Sequence, residues 1–148
     1  DSTLEFTGVQ LEVGDTATEF EHRSYGDELA RCRRYFQTLF QTDVTAGRLS
    51  VGMTHSGTNA ILPLHISTMR AKPTEILTSG TASHFGVHGG KGSGTDVTAC
   101  DALPTVHTQS SPYCARLVFT VASGLTAGNI WSLRSSTSAA YLGIGAEL

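Results

Sequence analysis

Apolar and polar residues alternate along much of this chain. In "TLEFTGVQLEV", Leu4, Phe6, Val9, Leu11 and Val13 fall among polar neighbours, which is the period of two of a half-buried strand, with a register change near Gly8. The alternation is lost in "GDTATEFEHRS", which reads as a linker. From Ser24 the pattern changes again. "SYGDELARC" sets Asp27 and Glu28 ahead of Arg31, Arg33 and Arg34, the charge order that complements a helix dipole. Ser24 and Asp27 approximate a capping box, so a short helix is predicted near residues 25–33. Tyr25, Leu29 and Cys32 would form its apolar stripe, which needs a surface to bury against.

The aromatics of "RYFQTLF" favour a strand. Beyond residue 40 the chain reads as short strands punctuated by turn residues: Arg48 to His55, Ala60 to Ile66, Thr74 to Ser79, Ala115 to Ser123, Asn129 to Ser136 and Ala139 to Leu148. This succession predicts an all-β domain, an antiparallel β-sandwich or jelly-roll-like fold with one short N-terminal helix. Pro63 has no amide hydrogen, so its strand is expected at an edge or bulged there. Lys72 is pushed into extended geometry by Pro73. The glycine-rich "HFGVHGGKGSGTD" is expected to be a mobile surface loop. Two parts follow: residues 1–20, an edge or final strand with a linker, and residues 21–148, a C-terminal β-sandwich domain.

Length and composition fit this outline. A chain of 148 residues suits one domain and buries about 70% of its unfolded surface. Only 16% of residues are charged and the net charge is −3, without the basic face that phosphate backbones attract, so nucleic acid is not an expected partner. No apolar stretch is long enough for a membrane helix, and the start has no signal-peptide pattern. The opening on Asp1 inside an apparent strand reads as a piece of a longer polypeptide. Cys32, Cys100 and Cys114 lack metal-ligand spacing; buried free thiols are expected, with a Cys100–Cys114 bridge as the alternative.

"GVQLEVGDTATEFEHRSYGDELARCRRYF", "LHISTMRAKPT" and the terminal "AAYLGIGAEL" together resemble a pattern found in structural proteins of tailed bacteriophages, in fibres, spikes and other virion appendages. In that family "GVQLEVG" looks like the last strand of a carbohydrate-binding-like jelly roll, and the following segment like the junction into a compact C-terminal β domain. The resemblance covers the first quarter of the chain, the middle through "MRAKPT" and the last ten residues. It implies a virion location, a homotrimer, contacts with other virion proteins through the upstream module, and loops offered to a host-surface glycan or protein. The junction would explain the charged opening segment. Glu19, Glu21, Arg23 and Asp27 keep it hydrated, while Phe20, Tyr25 and Leu29 anchor it by burial, with Arg33 and Tyr35 completing the assembly surface.

Catalytic and metal signatures are weak. His84 and His88 have i, i+4 spacing, but Gly86, Gly89 and Gly90 argue against a helix, and no zinc-protease glutamate stands between them. "GGKGSGT" lacks the spacing of a phosphate loop. Asp96 and Asp101 are too generic a pair for glycoside hydrolysis, and no G-x-S-x-G elbow occurs. The chain is therefore read as a non-enzyme without metal or cofactor. For recognition, aromatic faces ringed by short polar groups suit a glycan: Phe85, Tyr113 and Trp131, with His84, His88, Asn59 and Asp96 as hydrogen-bonding partners. Phe85, beside glycines, is expected to be exposed, while Trp131 fits either core or site. The alternative is a purely structural assembly cap or decoration protein without receptor binding; a third reading is an accessory domain of a depolymerase.

Overall fold

The computed structural model describes residues 9–16, 18–41, 45–89 and 96–146. Helix α1 (Tyr25–Arg33) leads into strands β1 (Phe36–Gln41), β2 (Arg48–Thr54), β3 (Asn59–His65) and β4 (Glu75–Thr78). A 3-10 turn, Ala82–His84, precedes β5 (Phe85–His88), β6 (Val97–Ala99), β7 (Thr105–Val106), β8 (Cys114–Thr120), β9 (Ile130–Ser135) and β10 (Tyr141–Gly145). The strands form two antiparallel sheets, one of three in the order β1-β10-β4 and one of seven in the order β6-β5-β9-β2-β3-β8-β7. The molecule is thus all-β and sandwich-like, as the alternating pattern predicts.

Alternation decides what each sheet buries. In β8, Ala115, Leu117 and Phe119 are fully buried while the residues between them are half-exposed. Along β9, Trp131, Leu133 and Ser135 point inward, and Ile130, Ser132 and Arg134 outward. From the smaller sheet, Phe40, Leu142 and Ile144 meet the same core. At its centre the ring of Phe119 lies 5.6 Å from Trp131, edge-on, and 6.3 Å from Phe85. Each such side chain contributes about 1.5–3 kcal/mol by leaving water.

Pro63 is not on an edge strand, because β3 lies between β2 and β8. Its partner in register is Arg116, whose own backbone turns the other way: the Arg116 carbonyl accepts from His107 N at 2.7 Å, and its N–H donates to Ser110 Oγ at 3.0 Å. Pro63 therefore directs its nitrogen toward β2, where the β2–β3 ladder is limited to Met53–Ile61 and Thr54–Ala60. The missing amide hydrogen falls where pairing has already ended.

Part of the glycine-rich segment is framework instead of loop. Phe85–His88 is a strand between β6 and β9, with Phe85 and Val87 fully buried. Gly86 serves close packing: a Cβ there would lie 2.9 Å from Val97 Cγ1. Residues 90–95, the remainder of the expected loop, lie outside the described residues.

The helix matches its predicted span, and Ser24 caps it as expected, its Oγ accepting from Asp27 N at 3.1 Å and donating to Asp27 Oδ2 at 2.7 Å. Its stripe, however, contains no fully buried residue. Leu29 is half-buried, Cys32 is exposed and Tyr25 is 82% exposed. Residues 9–13 form no strand, and the earlier half of the predicted strand, residues 1–8, lies outside the described residues. Instead, polar side chains clasp the segment: Glu12 accepts from Thr18 N and Oγ1, both at 2.6 Å, and Gln10 Oε1 accepts from Glu21 N at 2.8 Å. These bonds from Thr18 hold the Glu12 carboxyl below its ordinary range. All three cysteines are free, and only Cys100 is buried.

Candidate functional site

Strand pairing assembles a cationic cluster on the outer face of the seven-stranded sheet. Arg48 of β2 stands opposite Arg134 of β9. On the other side of β9, Gly86 faces Arg134 and His88 faces Ser132. Since Phe85 and Val87 are directed inward, His88 is directed outward with Ser132 and Arg134. Arg48 Nη2 reaches His88 Nε2 at 3.2 Å. Burial first, then the charges of Arg48 and Arg134, hold the His88 imidazole below its ordinary range, partly opposed by Asp96. Because a guanidinium only donates, His88 Nε2 is the acceptor of this contact.

An open groove of about 780 Å³ runs beside this cluster, lined by Arg48, Ser50 and Val51 of β2, His88 of β5 and Gly89 after it, and Ile130 and Ser132 of β9. Val51 and Ile130, 57% and 70% exposed, continue it into an apolar patch completed by Met53, Ile61 and Pro63. Cation, hydroxyl and aliphatic surface therefore adjoin one another on a rigid sheet. Among the described residues the ion pairs are those of Arg23 with Glu21 and Glu28, so neither Arg48 nor Arg134 is matched to a carboxylate there.

The predicted ligand residues are only partly brought together. His88 lies in the groove, and Asp96 sits nearby, its carbonyl accepting from Gly89 N at 2.9 Å. His84 ends the 3-10 turn, four residues before His88, and its Nδ1 pairs with Ser79 Oγ at 2.9 Å. Phe85 is fully buried, contrary to its expected exposure, because it belongs to the inward parity of β5. Trp131 is core by the same parity on β9 and offers no ring face to solvent. Tyr113 is 59% exposed but precedes β8, at the far side of the sheet from β5. Asn59 begins β3 and closes a turn through its carbonyl, which accepts from His55 N at 2.8 Å. Arg48 and Arg134 were not among the expected site residues; the outward parity of Arg134 with Ile130 and Ser132 was legible, but its partner was not.

The expected assembly residues lie at the surface of this chain. Phe20 is 44% exposed and packs edge-on against His22; with Tyr25 still more exposed, the rings do not anchor the segment to its own sandwich. Tyr35 is 52% exposed with the Arg70 guanidinium 5.2 Å from its ring centre. Leu29 and Arg33 border a second groove of about 560 Å³, between α1, β1 and the end of β3. Among the described residues no group of three His, Cys, Asp or Glu could hold a metal ion, and no helix is long and apolar enough to cross a membrane.

No known protein family, curated protein or solved structure matches this chain.

Proposed function

We propose that this chain is a non-catalytic structural module of a phage virion fibre or spike, which assembles as a homotrimer through its N-terminal strap and presents the seven-stranded sheet to a host-surface glycan or protein. One observation carries the assembly part. Phe20 and Tyr25 are 44% and 82% exposed, two large rings in one segment that an isolated chain would keep covered. Each would gain about 1.5–3 kcal/mol on burial against neighbouring copies. The resemblance to appendage proteins supplies the symmetry and the setting, including contact with other virion proteins through the preceding module.

Sedimentation equilibrium tests the assembly directly. The chain should sediment as a trimer, and the double substitution Phe20→Asp, Tyr25→Asp should yield monomers with an unchanged β spectrum. A wild-type chain that stays monomeric throughout the micromolar range would overturn it. The burial of Phe85 and Trp131 favours a second reading, an assembly element without receptor, since it removes two of three aromatic faces from the surface. Attachment of particles carrying outer-face substitutions separates the two: reduced attachment supports recognition, and normal attachment supports the assembly element.

A further inference from the structure

We propose that Arg48, Arg134 and His88 form a binding site for an acidic saccharide, with the carboxylate of a uronic acid between the two arginines. This rests on the recognition part of the function proposed above and specifies its ligand class. Arg48 and Arg134 are directly opposed across strands, and like charges in that position destabilise a sheet. Among the described residues no carboxylate is within ion-pair distance of either. An anion placed there relieves the repulsion, and arginine presents the planar fork that takes a carboxylate through two parallel hydrogen bonds.

The surroundings select a sugar over a bare anion. Ser50 and Ser132 bring hydroxyls to the groove, and Val51 and Ile130 supply exposed aliphatic surface at one side. A pyranose ring has matching hydroxyls and an apolar C–H face. The groove is open and is lined from three adjacent strands, β5, β9 and β2, so it suits an internal unit of a polymer as well as a chain end. His88 reports occupancy: its imidazole is held below its ordinary range by burial and by Arg48 and Arg134, with Asp96 opposing. A carboxylate seated beside it offsets the arginines and favours the imidazolium.

The test is an NMR titration of the full chain with trigalacturonate, with its neutral methyl ester, and with a peptide of residues 9–28, the acidic strap. Trigalacturonate should give saturable shifts at Arg134, Ser132 and His88 and raise the titration midpoint of His88. Arg134→Gln should weaken binding at least tenfold, Arg134→Lys should restore part of it, and Tyr113→Ala should leave it unchanged. The ester should bind at least tenfold more weakly. Absence of saturable shifts, equal binding of the ester, or indifference to Arg134→Gln in a folded chain would overturn the site. So would preferential binding of the strap peptide, with loss of self-association in Arg134→Gln, because the arginines would then be the dock of a second copy. Sedimentation of the same samples keeps the readings apart: a monomeric wild type that binds trigalacturonate removes the trimer and leaves this site standing.

Discussion

The phenyl ring of Phe36 lies across Gly143. A Cβ added to that glycine would stand 2.7 Å from Phe36 Cζ and 2.9 Å from the Tyr141 hydroxyl. The two residues are on neighbouring strands, Phe36 facing Gly145 and Thr38 facing Gly143, so the ring leans one step along the sheet to fill what the glycine leaves open. In "YLGIG" the small residues thus complement aromatic cover on the outer face of the three-stranded sheet, while Leu142 and Ile144 fill the core.

Gly143→Ala is expected to destabilise the fold by about 1–3 kcal/mol, as overpacking does. The ring that obstructs the new methyl is itself removable. Adding Phe36→Ala should therefore recover part of the loss, giving a coupling of about 0.5–3 kcal/mol in a double-mutant cycle read by urea unfolding. Strict additivity of the two substitutions would show that the ring does not rest on the glycine.

Gly52 is more constrained, because backbone blocks it. Its added Cβ would fall 2.2 Å from the Ile61 carbonyl oxygen and 2.9 Å from Trp131 Nε1. Strand β3 cannot withdraw without breaking its long pairing with β8. Gly52→Ala should therefore cost at least as much as the most severe overpacking, about 3 kcal/mol, and more than Gly143→Ala. Thermal unfolding of the two variants side by side gives the ranking.

Cys100 is buried, and burial first, then the charge of Asp101, pushes its thiol up to about 12 from an ordinary 9.0. The folded state therefore holds its proton where the unfolded state releases it. Its contribution to stability is complete below about pH 9 and is lost as pH rises from there through about 12. Stability of Cys100→Ala should fall less steeply than that of the wild type across that window. At pH 8, iodoacetamide should modify exposed Cys32 in the native protein and spare Cys100 until it unfolds.

Ser24→Ala removes the side-chain acceptor of Asp27 N. Loss of such a cap costs a helix about 0.5–2 kcal/mol. Since α1 contains no buried residue, the effect should remain local: faster amide exchange in Asp27 to Ala30, with little change in the unfolding midpoint of the sandwich. A fall in global stability equal to the helix effect would mean that α1 folds as one unit with the sheets.

Much of the secondary structure was legible because side-chain spacing and caps are local properties. The charge order after Ser24 marks α1, and alternation in "ARLVFTVAS" and "NIWSLRSS" marks the existence of β8 and β9, while Trp131 fits either core or site until the parity of β9 places it inward. The failures share a cause. Glycines around Phe85 signal missing side chains, and that signal is the same whether the chain needs freedom or a neighbour needs room. Exposure of Phe20 and Tyr25 likewise depends on what lies against them.

By itself, then, the sequence determined which residues share a face, because a strand turns successive side chains to opposite sides whatever its neighbours are. Tertiary structure alone decided which faces adjoin. Placing β5 beside β9 buried Phe85 and turned His88 outward, and pairing β9 with β2 set Arg134 opposite Arg48. Those pairings join positions 40 or more residues apart, and they follow from closing one core around Trp131 and Phe119, a condition that no local pattern expresses.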